Sequence, residues 1–143
     1  MLAPSGGVVK RFGTALLLAL GVACQTASDQ PSDPVWGKQA CSSCAMLISD
    51  PHFAAQLVTP TGDHLYFDDV GCLASFLARQ KVGAGQAWVR DAGGGWQEAR
   101  RAHFSRGAKT PMDYGFELSS TGTVPWGTVE TAVRQRGAES NPP

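Results

Sequence analysis

The chain has 143 residues, 12 basic against 12 acidic, with 43% hydrophobic residues and 4 Cys, which bounds it to one domain or two small ones. Its 17 Gly and 9 Pro make up about 18% of the residues, below the roughly 25–30% of low-complexity chains, which argues against disorder of the whole. A net charge of zero with scattered basic residues lacks the electrostatic footprint of phosphate binding and argues against a nucleic-acid partner.

Lys10 and Arg11 precede an apolar run over residues 12–23, whose length fits a signal-peptide core and is short for a bilayer span. The run ends Leu20-Gly21-Val22-Ala23-Cys24, and a small residue before Cys resembles the bacterial lipobox, with Cys24 as the lipidated first residue of the mature chain. An ordinary secretory cleavage near Ala27 is the alternative. Cleavage before Cys24 leaves 10 basic and 12 acidic groups, a slightly acidic domain. Residues 24–35 are polar and carry Pro31 and Pro34, which predicts a flexible tether; one lipidated Cys would hold the domain on a membrane face without a spanning helix.

Residues 36–137 read as two similar halves. In the first, 36–92, strands are predicted over 52–59 and 64–67, separated by the turn cluster Pro60-Thr61-Gly62-Asp63. Val70, Leu73, Ala74 and Leu77 then recur with helical spacing behind Asp68 and Asp69, either of which suits an N-cap. A short strand over 86–90 closes this half. In the second, 93–137, strands are predicted over 97–105 and 114–118 and a helix over 124–136, with Pro125 in its first turn and Gly137 as its C-cap. The expected fold class is α+β, two small ββαβ units with helices on one face of antiparallel sheets, and a disordered tail over 138–143.

With Cys24 set aside, three Cys remain, so they cannot all pair within the chain. Cys41 and Cys44 form a C-x-x-C. Ala45 stands where c-type haem attachment needs His, and Ser49-Asp50-Pro51 follow too soon for the helix of a thioredoxin-like pair. Two readings stay open: a zinc site from Cys41, Cys44, Cys72 and one of His52, His64 or His103, and a disulfide from Cys41 to Cys44 or Cys72 that braces the loop. Met46 adds a third. Thiolate and thioether side by side make a soft site of the kind that selects Cu(I).

Cys44-x-Met46, then His52-Phe53-Ala54-Ala55-Gln56, then Phe67-Asp68-Asp69-x-Gly71-Cys72, and later Thr110-Pro111-Met112 together resemble the NosL family of copper-binding lipoproteins associated with nitrous oxide reductase maturation. The resemblance spans residues 40–116. It implies a two-part ββαβ architecture similar to part of organomercurial lyase, and no enzymatic activity. It further implies Cu(I) as cargo, delivered to a periplasmic copper enzyme, nitrous oxide reductase, with an ABC-type membrane complex as partner and lipid anchoring at the periplasmic face of the outer membrane. Carried over residue by residue, Cys44 is the anionic ligand, Met46 the neighbouring thioether, Met112 a third ligand and His64 a nitrogen donor. Cys41 is then a brace or reserve thiol, and Cys72 a buried or reserve thiol whose thiolate the helix N-terminus would favour. Two positions depart from the family: Ala45 and Asp113 stand where Gly is usual. The rival class is an enzyme, a thiol–disulfide reductant or a thiol enzyme cleaving carbon–metal bonds with Cys44, Cys72 and Asp68. A periplasmic lipoprotein without an ion is the third.

Overall fold

The computed structural model describes residues 29–80 and 85–140. The leader and its lipidation candidate Cys24 therefore lie outside the described residues. Two antiparallel sheets and two helices make the fold α+β. The first sheet is built from β1 (Ala55–Val58), β2 (His64–Phe67), β3 (Gln86–Arg90) and β4 (Trp96–Glu98), in the order β2-β1-β3-β4. Helix α1 (Val70–Arg79) connects β2 to β3. The second sheet contains β5 (His103–Arg106), β6 (Phe116–Leu118) and β7 (Val124–Pro125), in the order β6-β5-β7, and α2 (Trp126–Ser140) follows. The helices pack on each other, and residues of both sheets share one apolar core that includes Leu57, Phe67, Leu73, Val89, Phe104 and Trp126.

Local chemistry accounts for the first half. Gly62 takes φ +85, the Thr59 amide donates to the Asp63 carbonyl (2.9 Å), and the Thr61 hydroxyl donates to the Asp63 carboxylate (2.7 Å). This closes the β1–β2 hairpin where the turn cluster predicted it. The register Ala55↔Phe67, Leu57↔Leu65 sends Ala55 and Leu57 to the core. Val70, Leu73 and Ala74 of α1 are buried over the same core, as their spacing requires.

The second half departs from the expected repeat. The strand predicted over 97–105 is interrupted by a 3-10 turn, Ala99–Arg101, so that β4 pairs with β3 while β5 starts the second sheet. Ala99 is fully buried there, and this anchor breaks a segment whose side-chain pattern alone reads as continuous. The first unit is thus ββαββ and the second βββα. The start of the 52–59 segment is likewise a 3-10 turn, Pro51–Phe53, capped by the Asp50 carboxylate on the His52 amide. Pro125 ends β7 rather than entering the helix, and α2 runs through Gly137 to Ser140. Gly137 is therefore no C-cap, and residues 138–140 of the expected tail are helical.

The tether is corrected too, for its described part. Residues 29–35 lie as a strap across the outer face of the first sheet. The Ser32 amide donates to Gln56 Oε1 (3.0 Å), and Gln56 Nε2 donates to the Ser32 carbonyl (2.8 Å). Trp88 Nε1 donates to the Asp29 carbonyl (3.1 Å). Asp33 is paired with Arg90 and accepts from Trp96 Nε1 (2.9 Å), while the Arg90 guanidinium sits over the Trp36 and Trp96 rings at 5.0 and 5.4 Å. A polar composition predicts disorder only when nothing awaits the segment. Here the sheet's outer row of Tyr66, Gln56 and Trp88 offers polar partners in register, and Gln56 is wholly buried by the strap.

Candidate metal centre

The C-x-x-C lies at the tip of a hairpin over residues 35–48. The Ile48 amide donates to the Gln39 carbonyl (2.9 Å), the Cys41 amide to the Met46 carbonyl (2.8 Å) and the Ala45 amide to the Cys41 carbonyl (3.0 Å). Ala45 makes the turn with φ 63. Asp113, beside Met112, has φ 60. Both residues, neither of them glycine, occupy the left-handed region that Gly enters freely. A non-glycine there costs about 1–2 kcal/mol, less for Asp. Ala45→Gly is therefore expected to stabilise the chain by about 0.5–1 kcal/mol after the unfolded-state entropy of Gly is subtracted, read as a higher urea midpoint at unchanged slope.

The tip is pressed against the end of β2 and the start of α1. The Ser42 amide donates to the Tyr66 carbonyl (2.8 Å), and Arg79 at the far end of α1 donates to Ser43 Oγ (2.8 Å). Asp69 caps α1 through Oδ1, which accepts from the Gly71 amide (2.7 Å), so Cys72 stands in the first turn facing the tip. The sulfurs of Cys41, Cys44 and Cys72 lie within 4.8 Å of one another, and all three thiols are free. Cys41 and Cys72 are 3% and 2% exposed, while Cys44 is half-buried at the opening. This three-cysteine cluster can hold a metal ion. Three sulfurs each about 2.3 Å from one metal ion would lie about 4 Å apart, inside the 4.8 Å that bounds the cluster.

The three sulfurs are not equivalent. The Cys72 thiol donates to Cys41, and the amides of Cys44, Asp68 and Ser43 point at the same sulfur. Together these outweigh burial and lower the Cys41 pKa to about 5. Cys72 is pushed far up because its proton is held by the Cys41 sulfur and because it is buried. The helix N-terminus does not make it the thiolate. Burial raises Cys44 as well, against the Met46 amide, which lowers it. Of the three sulfurs, the surroundings thus favour Cys41 as the thiolate. A pH titration of thiolate ultraviolet absorbance should show one group ionising near pH 5, and Cys41→Ser should remove that step. Asp68 is also buried. Its carboxyl is pushed up by desolvation, partly offset by the Ser49 amide, and among the described residues no group donates to Oδ1.

The residues singled out from sequence are distributed unevenly around this cluster. Met46 is 58% exposed at the hairpin tip; with Val35 and Leu47 of the same hairpin it forms the set of exposed large hydrophobics among the described residues. Met112 packs on the core from the second half, and its amide donates to Asp69 Oδ2 (3.1 Å). Tyr114 leans on Gly71, where a Cβ would fall inside the ring. Arg136 of α2 fixes this loop by donating to the Asp113 carbonyl (2.7 Å) and lying over Tyr114. His64 starts β2, three residues from Phe67, and its Nδ1 is hydrogen-bonded to Ser32 Oγ (3.0 Å). His52 pairs with Glu117 at 3.7 Å, and His103 is exposed on β5. Among the described residues no His, Asp or Glu joins the three cysteines. Cys41, read from sequence as a brace or reserve thiol, and Cys72, read as a buried or reserve thiol, stand level with Cys44; the odd number of the three cysteines and the C-x-x-C were the signal for it.

Comparison of the chain with protein-family models, with curated proteins and with solved structures finds no match.

Proposed function

We propose that the chain is a lipid-anchored periplasmic Cu(I) carrier of the NosL type, held on the membrane through Cys24, that binds one Cu(I) at the cysteine cluster and passes it to a copper enzyme. The observation that carries this reading is the set of three sulfurs within 4.8 Å, two buried and one at the opening. Sulfur donors select Cu(I) over harder ions. Three donors suit a low-coordinate ion, whereas structural zinc takes four ligands. In this reading Cys41, already ionised, attracts the cation, and Cys44 and Cys72 close on it as they lose their protons. Met46 offers a thioether on the route out, and its charge-free sulfur accepts the ion for hand-over without holding it tightly. The apolar hairpin of Val35, Met46 and Leu47 is the contact surface for the acceptor, nitrous oxide reductase or the ABC-type complex that serves it.

Anaerobic Cu(I) titration against a chromophoric chelator, with zinc in parallel, tests the proposal. One tightly held Cu(I) per reduced chain and far weaker zinc are expected. Competitive zinc binding, or sulfur replaced by nitrogen and oxygen around the ion in X-ray absorption, would remove it.

One observation favours a second reading. The buried Asp68 carboxyl, with Oδ1 unpartnered among the described residues and its pKa raised, lies beside Cys41. Such an acid can protonate the carbon released when thiolates capture a soft metal from an organometallic compound. Hydrocarbon released stoichiometrically from that substrate by the reduced chain, and lost in Asp68→Asn, would favour this enzyme.

A further inference from the structure

We infer that the cluster has two mutually exclusive states, a reduced one that takes the metal and an oxidised one closed by a Cys41–Cys44 disulfide, with Cys72 left as a buried thiol. The metal-binding half of this switch rests on the proposed function; the disulfide half rests on the geometry alone. Three features select the pair. Cys41 and Cys44 share one five-residue turn, closed by the Ala45 amide on the Cys41 carbonyl (3.0 Å), and their sulfurs already lie within 4.8 Å, so rotation of the two side chains suffices to join them. Cys44 alone of the three is open to solvent, so an external oxidant must meet it first. Cys72 is held in a capped helical turn and is 2% exposed, out of reach of any outside disulfide.

The exchange balances with a disulfide of a small thiol or of a periplasmic protein as oxidant. The Cys44 thiol loses its proton and attacks one sulfur of the external disulfide, forming a mixed disulfide and expelling the first thiolate. The Cys41 thiolate, within 4.8 Å of Cys44, then attacks the Cys44 sulfur and expels the second. Two electrons pass to the oxidant, which leaves as two thiols. The product has one metal-competent sulfur where the reduced chain has three. Copper and the disulfide therefore compete: at free Cu(I) 100-fold above its dissociation constant, the reduced form gains about 100-fold in weight. An unloaded carrier would close in an oxidising compartment, and a loaded one would stay open.

The whole chain is equilibrated anaerobically in glutathione buffers of stepped ratio, with and without Cu(I), quenched in acid and alkylated. Cleavage before Asp50, Asp63 and Asp68 separates Cys72 from the peptide that carries Cys41 and Cys44. The expected result is one disulfide, Cys41 to Cys44, with Cys72 recovered as free thiol. The oxidised chain should bind no Cu(I), a dithiol should restore one equivalent, and Cu(I) should raise the oxidised-to-reduced glutathione ratio needed for half-oxidation by at least tenfold. A Cys41–Cys72 disulfide, a persistent glutathione adduct on Cys44, or full Cu(I) binding by the oxidised chain would overturn the switch. If the mapped disulfide is Cys41–Cys44 but the reduced chain takes no Cu(I), the thiol pair stands and the copper reading falls.

Discussion

Cys41→Ser is expected to abolish tight Cu(I) binding as completely as Cys44→Ala does, although the family resemblance leaves Cys41 as a brace or reserve thiol. Its sulfur is the one whose surroundings favour the thiolate, accepting hydrogen bonds from the Cys72 thiol and from the Ser43, Cys44 and Asp68 amides. Serine keeps an acceptor for those amides at nearly the same volume, so the hairpin tip should fold. Its oxygen is a poor partner for a soft ion and is not ionised at neutral pH. The loss in affinity should exceed the roughly 10–100-fold cost of altering groups that only support a metal ligand. Met46→Ala, by contrast, should fall inside that range, because an exposed thioether at the tip contributes to passage more than to the closed site. The measurement is Cu(I) competition against a chelator at fixed pH. Retention of affinity within tenfold in Cys41→Ser, beside a complete loss in Cys44→Ala, would return the site to the Cys44 and Met46 pair.

Asp69→Ala should cost about 2–4 kcal/mol of stability, because it removes a helix cap worth about 0.5–2 kcal/mol and leaves a sheltered amide unpaired at about 1–3 kcal/mol. The carboxylate is wholly buried, and its two oxygens serve different halves of the fold: Oδ1 holds the first turn of α1 and Oδ2 the Met112 amide. For a domain of this size the loss corresponds to a drop in Tm of more than about 10 °C. Asp69→Asn keeps one oxygen for the cap and turns an amide toward Met112, so its effect should be intermediate. Calorimetry on the two variants measures both terms. A fall below about 3 °C for Asp69→Ala would mean that the cap and the loop bond do not tie the halves together. The same variant should weaken copper binding moderately, since Cys72 stands in the turn that Asp69 holds.

Much of this was legible in the sequence wherever the cause is local. The turn at Gly62, the helix that is Val70–Arg79 with a cap at Asp68 or Asp69, and the α+β class follow from spacing, turn chemistry and capping among near neighbours, while the structure selects Asp69 as the cap. The C-x-x-C followed by Met is likewise read from six adjacent positions. Ala45 and Asp113 are visible in the sequence as residue types, but their φ of 63 and 60 are backbone facts that residue identity does not give.

Tertiary structure alone decided the rest, for one physical reason: it brings together groups that are remote in the chain and sets how water reaches them. Composition marks residues 29–35 as a tether, yet partners 24 to 63 positions away, at Gln56, Trp88, Arg90 and Trp96, dock that segment on the sheet. Residues 97–105 read from sequence as one strand, and a 3-10 turn around the buried Ala99 splits them between two sheets. Cys72 lies 28 residues beyond Cys44 in sequence and within 4.8 Å of it in space. Which sulfur carries the charge depends on that meeting, because the Cys72 proton and three amides converge on Cys41. The sequence determined that this chain owns soft ligands and a capped helix to present one of them; only the folded chain decided that three thiols form one centre and that Cys41 is its anion.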